Sequence, residues 1–412
     1  MSLGQVYVPR VGEKHPAAVP AKPNRKTELR IWWREIDRVL LVLVLMLMAI
    51  GMVAVAAASP ASARRLSTAG EKLSDLHFYW LHMQWQIAGI AVMLGVSTMP
   101  RELARRAAVV GSMAMLGALL LVPLIGPEVN GARRWLDLGI RFQPSEFLKP
   151  ALIVTLAWIL SWRVRDPKLP VIAISGVLIG FVALLLMLQP NLGDTLLFCG
   201  VWFVLVLLSG MKWQRIAMAG AAGVFSLVMA YLFYGNARHR IDTFLFGEGA
   251  FDQVGLAART LEAGGWTGTG LWLGVRKLSL PEAHTDYIFS VIGEEFGLIV
   301  CGVIVLLYLA IVLRVLYRLI EEEDLFKILA ASGLASLIGG QAFINILVNL
   351  QLFPSKGMTL PLVSYGGSST LAVCGTVGLL LALTRRNPYL TRERFDWLAA
   401  LEQNAPRTGG QR

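Results

Sequence analysis

Long apolar blocks alternate with short polar connections along almost the whole chain. Each block has roughly 20 residues, the length that a helix needs to cross a ~30 Å hydrocarbon core. Backbone groups in lipid must bond within their own segment, so we expect the blocks to be helices. The pattern predicts an all-α polytopic membrane protein with about ten transmembrane helices, near 39–59, 79–98, 105–125, 144–162, 169–188, 191–209, 216–234, 286–316, 327–350 and 367–384.

The basic residues indicate which side of the membrane each connection occupies. An even number of spans puts both termini on one side, and the positive-inside rule makes that side cytoplasmic. This arrangement predicts a basic cytoplasmic tail at 1–38, a membrane domain at 39–384 with a large extracytoplasmic loop at 235–285 between spans 7 and 8, and a cytoplasmic tail at 385–412. The residues that set the orientation include Arg25, Arg34, Arg38, Arg101, Arg105, Arg163, Arg165, Lys212, Arg215, Arg314, Arg318, Arg385 and Arg386.

Composition agrees with this class of protein. Hydrophobic residues make up 56% of the 412 residues, charged residues 16%, and the net charge is +11. In a membrane protein this charge favours contact with anionic lipids rather than with nucleic acid. All three cysteines lie in apolar blocks, which favours packing over disulfides or a metal cluster. No Walker motif is present, so we expect no nucleotide cofactor.

The N-terminal segment also has some features of a secretory signal. Residues 61–63 read Ala-Ser-Ala, which resembles a cleavage site. The apolar block before them is longer than the usual signal core, and the leader is long. We therefore predict that this block is retained as the first transmembrane helix.

Basic residues on the extracytoplasmic side are the first candidates for function. Arg133 and Arg134 lie in the connection 126–143, and Arg238 and Arg240 lie in the large loop. Topology disfavours these charges there, and arginine binds phosphate groups bidentately. A phosphate-bearing ligand is one explanation. Ordinary surface charges paired with nearby acids are the other.

Glu146 and Lys149 stand at the start of a predicted span. They are three residues apart, so they share a helix face and can form an ion pair. Glu146 also lies in the first turn, where the helix dipole favours an acid. The pair is either a helix cap with an interfacial ion pair or an intramembrane charged site that faces a cavity.

Asp286 ends the large loop and opens a very apolar helix. A carboxylate in that first turn is stabilised in its ionised form by the helix dipole. It could accept a proton from a sugar hydroxyl, hold a metal ion, or only cap the helix. Glu294 and Glu295 lie about 12–14 Å deeper by helical rise. Carboxylates at that depth need partners or a hydrated cavity.

The connection before the last predicted span is the final unusual segment. Residues 353–369 are rich in Gly, Pro and Ser. Irregular backbone at this depth is tolerated where it is buried in protein or lines a water-filled cavity. We predict that this segment is re-entrant.

These motifs together resemble the SEDS family (shape, elongation, division and sporulation proteins), over about residues 35–395. The resemblance depends on their order and topology: GARRW at 131–135, QPSEF at 143–147 with Lys149, QPNLG at 189–193, PEAHTD at 281–286 and PLVSYGGSS at 361–369. Two positions depart from the family pattern. Asn191 stands where the family usually has Asp, and Asp194 stands where it usually has Thr or a small residue.

The resemblance implies a peptidoglycan glycosyltransferase that polymerises lipid II at the outer face of the bacterial inner membrane. The donor is an undecaprenyl-linked glycan, and the anomeric centre inverts. Residues 355–361 and the basic tail are more similar to the division branch of the family than to the elongation branch. The division branch implies a septal location, a class B penicillin-binding protein transpeptidase as partner, and contacts with other divisome proteins and membrane lipids.

The resemblance also identifies candidate site residues. Asp286 matches the essential acidic residue of the family, and it is either a general base or a ligand of a divalent cation, Mg or Mn. The motifs and the outer basic residues supply the candidates for substrate and pyrophosphate contacts, namely Arg133, Arg134, Glu146, Lys149, Gln189, Arg238, Arg240, Lys356, Ser364, Tyr365 and Ser368.

Three alternatives remain at this stage. A lipid II flippase would line a path across the whole membrane with charged residues, whereas the polar residues here concentrate at the outer face. An elongation enzyme would share the chemistry but differ in its setting. A structural division scaffold would need neither Asp286 nor Glu146.

Overall fold

The computed structural model describes residues 25–67, 72–129, 132–137, 139, 141–235, 238, 242, 253–354 and 357–385. The chain divides into two units. One comprises residues 1–36 and 387–412, of which the described part is helix α1 (Arg25–Glu35). The other comprises residues 37–386 and contains all the features discussed below.

Every predicted span coincides with a helix of the second unit. These helices are α2 (Arg38–Leu66), α3 (His77–Ser97), α4 (Arg101–Ile125), α5 (Pro144–Ser161), α6 (Val171–Leu188), α7 (Leu192–Leu208), α8 (Trp213–Phe233), α10 (Ile288–Leu319), α11 (Leu325–Asn349) and α12 (Gly367–Leu383). The additional helix α9 (Gln253–Ala263) lies in the large loop. The fold is therefore an all-α polytopic membrane protein.

Six of these helices, within the described residues, are long and apolar enough to cross a membrane: α2, α4, α5 with its continuation to Val164, α6, α10 and α11. Helices α7 and α12 are also apolar but shorter, with 17 residues each. The total of ten spans and the domain boundaries at 38 and 385 stay predictions.

Two short hairpins fill the connection between α4 and α5. Strands β1 (Glu128–Val129) and β2 (Ala132–Arg133) pair antiparallel, and so do β3 (Leu136–Asp137) and β4 (Arg141–Phe142). Successive side chains of an extended segment point in opposite directions. This geometry separates the two adjacent arginines of the connection, as described below.

Asp37 caps the first apolar helix. Its side chain accepts hydrogen bonds from the backbone of Val39 and Leu40, and its carboxylate also accepts them from Arg314 and Arg318 at 2.8–3.2 Å. Burial alone would raise the pKa of Asp37, but the two guanidinium groups outweigh burial and hold the pKa below its usual value. The cap therefore joins α2 to the predicted cytoplasmic end of α10.

Helix α2 continues through the stretch that resembles a cleavage site. Ser62 is buried, and its Oγ lies 2.8 Å from Nδ1 of His284. This contact ties the end of α2 to the segment that carries Asp286. Retention of this helix as the first span stays a prediction.

Helix α10 is interrupted near its start. Gly297 has φ 81° and ψ 174°, which is not helical, and residues 264–278 fold against the break. The amides of Thr269 and Leu298 bond to the carbonyls of Glu294 and Gly265 at 2.8 and 2.9 Å. The loop backbone therefore satisfies the groups that the break would leave exposed in the membrane.

Glu294 and Glu295 are fully paired at this break. Glu294 accepts the backbone amides of Arg276 and Lys277 at 2.6 and 2.9 Å, and Glu295 accepts the Lys277 ammonium and the Trp272 amide. Lys277 is buried, and its Nζ also donates to the Ala57 carbonyl at 3.1 Å. These carboxylates are buried and hold the loop in place.

Glycines permit the close approach of the loop to α10. A Cβ at Gly264 or Gly268 would collide with the backbone of Gly293 or Glu295. Gly268 also has φ 82°, a conformation that other residues rarely adopt. The Gly-Thr-Gly sequence at 268–270 is thus a packing feature.

Helix α5 lies at the centre of the bundle. It packs against α4, α6, α7, α11 and α12, and its residues from Leu148 to Ala157 are all buried. Because α5 begins at Pro144, the polar residues Glu146 and Lys149 enter the bundle interior within its first two turns. This position determines their partners.

Candidate active site

A cavity of about 510 Å³ lies where the outer connections meet. It is formed by the end of α2, the connection between α4 and α5, the start of α9, the segment before α10, and the connection before α12. The lining residues are Ser62, Arg65, Leu66, Ala132, Arg134, Trp135, Gln253, Leu280, Pro281, Glu282, His284, Asp286 and Gly357.

Asp286 lines this cavity, and two asparagines of α11 hold its backbone. Nδ2 of Asn345 donates to the Asp286 carbonyl at 2.8 Å, and Nδ2 of Asn349 donates to the same atom at 3.3 Å. Oδ1 of Asn349 also accepts from the backbone and the hydroxyl of Ser290. The start of α10 is therefore fixed to α11 beside the carboxylate.

Arg134 and Asp286 approach the same point of the cavity wall. A Cβ built on Gly357 would lie 3.4 Å from Nη1 of Arg134 and 3.5 Å from Oδ2 of Asp286. Both charged groups thus reach the backbone of residue 357. A side chain at position 357 would be in van der Waals contact with both groups, so Gly357 keeps this part of the cavity wall open.

The turn at 189–191 positions Arg134. Nε of Arg134 donates to the Gln189 carbonyl at 3.3 Å, and Nη2 donates to the Pro190 carbonyl. The Gln189 side chain is buried and donates to the Leu119 carbonyl at 3.0 Å. Gln189 was a candidate for substrate contact. Its side chain instead contacts α4, and its backbone carbonyl accepts the hydrogen bond from Arg134.

The segment at 284–286 is also held from the connection before α12. The hydroxyl of Ser364 donates to the Thr285 carbonyl at 2.6 Å, and the Tyr365 amide donates to the His284 carbonyl at 2.9 Å. The Tyr365 and His284 rings lie 5.3 Å apart between centroids. Ser364 and Tyr365 therefore hold the backbone of the Asp286 segment and do not themselves line the cavity.

His284 is neutral in this arrangement. Burial lowers its pKa to about 4, against the opposing effect of the Glu282 charge. A neutral imidazole offers no positive charge to a phosphate near pH 7. Its contact with Ser62 makes it a positioning group.

Several other candidates lie away from the cavity lining. Arg133 donates to the Pro123 carbonyl at 3.2 Å and lies 3.9 Å from Glu128. Arg238 lies 3.5 Å from Asp242, and Ser368 accepts the Gln143 amide at 3.3 Å. Arg240 and Lys356 are outside the described residues.

Glu146 and Lys149 form a separate buried group with Asp194. Nζ of Lys149 lies 2.6 Å from Oε1 of Glu146 and 2.9 Å from Oδ1 of Asp194. These residues were candidates for pyrophosphate contact, but none of the three lines the cavity that contains Asp286. Asp194, one of the departures from the family pattern, supplies the second acid. Asn191, the other departure, donates to Asp194 at 2.7 Å.

Four residues that build the site were not predicted from the sequence. Arg65 lines the cavity at the outer end of α2. A basic residue on the predicted extracytoplasmic side departs from the positive-inside rule, and this departure could have identified it. Glu282 adds a second carboxylate. Asn345 and Asn349 are amides four residues apart on an apolar helix, a spacing that puts both on one face.

The carboxylates of the cavity determine whether a divalent cation could bind there. The described residues contain no group of three or more His, Cys, Asp or Glu side chains that could hold a metal ion. Asp286 and Glu282 nevertheless share the cavity. One or two carboxylates completed by substrate phosphates is the usual Mg²⁺ arrangement, so this donor set is compatible with a cation that arrives with its substrate.

The sequence is similar to a known protein family and to proteins of several bacteria. The family model described as "Cell cycle protein" (FtsW, RodA and SpoVE) matches residues 37–389. A relative from Caulobacter vibrioides, named "Probable peptidoglycan glycosyltransferase FtsW", is 36% identical over 367 residues, which cover 88% of this chain and 93% of the relative. A relative of the same name from Hahella chejuensis is 35% identical, with 75% and 81% covered.

Solved structures of similar fold belong to the same group of proteins. A chain from a peptidoglycan synthase complex that coordinates polymerisation and crosslinking superimposes with a TM-score of 0.70 at 27% identity, covering 87% of this chain and 98% of that one. The rod shape determining protein RodA of Thermus thermophilus superimposes with a TM-score of 0.62 at 28% identity, covering 85% and 97%. The chain belongs to the FtsW/RodA/SpoVE family of cell cycle proteins, and within that family it is FtsW-like.

Proposed function

We propose that this protein polymerises lipid II into glycan strands at the outer face of the inner membrane during septal wall synthesis, with Asp286 at the reacting centre. Its family and its FtsW-named relatives make it a peptidoglycan glycosyltransferase. The observation that supports the proposed site is the convergence of Asp286 and Arg134 on one cavity beside Gly357.

The proposed reaction is a single displacement. The C4 hydroxyl of the lipid II acceptor attacks the anomeric carbon of the donor glycan, and Asp286 takes the hydroxyl proton. The new glycosidic bond forms as the anomeric carbon–pyrophosphate bond breaks, and the bonding electron pair leaves with undecaprenyl pyrophosphate. Attack from the opposite face inverts the anomeric centre, as in inverting glycosidases.

The leaving pyrophosphate needs positive charge near the cavity. Arg134 and Arg65 supply it among the lining residues. Arginine binds phosphate oxygens bidentately, and it remains charged at any relevant pH. Asp286 and Glu282 could hold a divalent cation, which would add to this charge neutralisation. Arg240 and Lys356 remain candidates from the sequence.

The proposed partner is a class B penicillin-binding protein that crosslinks the strands. A solved chain of similar fold comes from a complex that joins polymerisation to crosslinking, which supports a partner of this kind. The other divisome contacts and the septal location follow from the FtsW names of the relatives.

Glycan synthesis by the purified protein and its partner tests the function. With fluorescent lipid II, wild type should give long glycan chains, and Asp286→Ala should give none while it still inserts and binds the partner. Asp137→Ala is a matched control, because Asp137 is an exposed acid of the connection between α4 and α5 and does not line the cavity. Normal chains from Asp286→Ala would overturn the site assignment.

Two additions separate the alternatives. In sealed vesicles, lipid II that crosses the membrane without chain synthesis would favour a flippase over a polymerase. A Mg²⁺ titration of Asp286→Glu distinguishes the two roles of the carboxylate. A cation ligand predicts that this variant needs more Mg²⁺, whereas a base alone predicts an unchanged Mg²⁺ requirement with a lower maximal rate.

A further inference from the structure

Three buried ionisable side chains meet inside the bundle, apart from the cavity of Asp286. Lys149 contacts both Glu146 on its own helix and Asp194 on α7. Its Nζ also lies 3.4 Å from Oε1 of Gln341 on α11. The side chains of Glu146, Lys149 and Asp194 are 10, 3 and 4% exposed, so water screens their charges little.

The charges of this group do not balance if all three are ionised. One ammonium faces two carboxylates, which leaves a net charge of −1. Among the described residues, the charges that act most strongly on Glu146 are those of Lys149 and Asp194, and the Ser369 hydroxyl is a neutral neighbour. An uncompensated charge in a membrane interior is costly, and a carboxylate in that position takes up a proton instead.

The hydrogen bonds identify which acid carries the proton. Asp194 is fully supplied with donors: Lys149 on Oδ1, and the Ser145 hydroxyl and the Asn191 amide on Oδ2 at 2.9 and 2.7 Å. Such donors stabilise the ionised form. Among the described residues, Glu146 accepts from Lys149 on Oε1, whereas its buried Oε2 has no hydrogen-bond partner within bonding geometry.

We propose that Glu146, Lys149 and Asp194 form a proton-binding site, in which Asp194 is the carboxylate that pairs with Lys149 and Glu146 holds the proton on Oε2. A small cavity of about 10 Å³ adjoins Glu146, Lys149 and Gln341. This volume is at the lower limit for one water molecule, which would accept the hydrogen bond of the neutral acid. The site is independent of the proposed reaction.

The proton site is connected to the segment beside Asp286. Gln341 contacts Lys149 through its oxygen and donates through Nε2 to the Thr359 carbonyl at 3.0 Å. The Thr359 hydroxyl in turn lies 2.7 Å from that of Ser369. Lys149 and Glu146 are already 2.6 Å apart, so loss of the proton would strengthen this pair by charge and weaken the longer contact of Lys149 with Gln341. The group therefore stabilises the connection 357–366 as long as the proton is bound.

Infrared spectra of the full-length protein in lipid nanodiscs test the proposal. The carbonyl stretch of a protonated carboxylic acid should be present in wild type and absent in Glu146→Gln. It should also disappear in Asp194→Asn, because Glu146 is then the sole partner of Lys149 and ionises. Glu323→Gln, which removes an exposed acid, is the matched control and should leave this band unchanged.

Thermal unfolding provides a second measurement. Glu146→Gln replaces a neutral acid with a neutral amide of the same shape, so the unfolding temperature should change by no more than about 2 °C. Asp194→Asn removes a carboxylate that accepts from Lys149, Ser145 and Asn191, and ionised Glu146 replaces only the contact with Lys149. The temperature should therefore fall by roughly 5 °C or more. A spectrum of Glu146→Gln identical to wild type, or a Glu146→Gln protein as unstable as Asp194→Asn, would overturn the assignment. The spectrum of Glu146→Gln decides the question even if Asp194→Asn does not fold.

Discussion

The side-chain amide of Asn345 lies 2.8 Å from the backbone carbonyl of Asp286. The same nitrogen lies 2.7 Å from the Met358 carbonyl, next to Gly357 in the cavity wall. One amide of α11 therefore connects the two segments between which the substrate is proposed to bind. Because Asn345 bonds to the backbone of Asp286, it can orient this residue without contacting its carboxylate.

We expect Asn345→Ala to lower the maximal polymerisation rate while KM for lipid II changes little. The variant removes the donor to the Met358 carbonyl and leaves the Asp286 carbonyl with only the longer bond from Asn349. A misplaced catalytic group loses rate at modest displacement. A loss of about 10-fold or more is expected, measured by glycan synthesis at saturating lipid II. Ser332→Ala, a buried polar-to-apolar change on the same helix, is the control for general damage to α11. Equal effects of both variants on rate would contradict a positioning role.

Adjacent arginines should behave differently. Arg134 lines the cavity, whereas Arg133 contacts Pro123 and Glu128 outside it. We expect Arg134→Ala to reduce glycan synthesis by about 100-fold, in line with the loss of one charge-stabilising donor. Arg133→Ala should stay within about 3-fold of wild type, since exposed ion pairs contribute little. The reverse order of effects would show that the cavity is not the pyrophosphate site.

The buried pair of Lys277 and Glu295 should matter for stability rather than for chemistry. Lys277→Met leaves Glu295 buried without its cation, and breaking one side of such a pair costs about 3–5 kcal/mol. The expected result is a clearly lower unfolding temperature in detergent. Arg276→Met is the matched control, because Arg276 is adjacent to Lys277 in sequence but is exposed, whereas Lys277 is buried. Equal stability of the two variants would contradict the structural role of Lys277.

The buried imidazole of His284 predicts a loss of stability in acid. Its pKa in the folded protein is about 4, below its ordinary value of 6.5, because burial disfavours the charged ring. Between these two values the unfolded chain binds a proton that the folded chain does not, so stability is complete above pH 6.5 and falls as the pH drops towards 4. The full difference amounts to about 3 kcal/mol.

Unfolding measured from pH 7 to 4 checks this dependence. His284→Gln should unfold more readily than wild type at pH 7, but its stability should fall less steeply in acid. His77→Gln is the control, since His77 is outside the cavity lining and the remaining acid-labile groups are unchanged in it. Parallel pH curves for His284→Gln and wild type would rule out this contribution.

Much of the molecule could be predicted from the sequence because the relevant signals are local. A block of about 20 apolar residues forms a helix wherever it meets lipid, so each predicted span coincides with a helix. The motif that ends in Asp286 made this residue the candidate for the reacting centre through its resemblance to the family pattern, whereas its position at a helix start was equally compatible with a cap. The break at Gly297 was not predicted, since an apolar run looks the same whether or not another segment completes its hydrogen bonds.

Which charged groups meet was decided by the tertiary structure. Arg133 and Arg134 are neighbours in sequence, yet one lies outside the cavity and the other lines it. Lys149 finds its second acid 45 residues away, and Asn345 reaches a carbonyl 59 residues away. Such contacts depend on how helices rotate and pack against one another. Apolar length and charge asymmetry therefore determined the spans and their predicted sides, while packing alone determined the site.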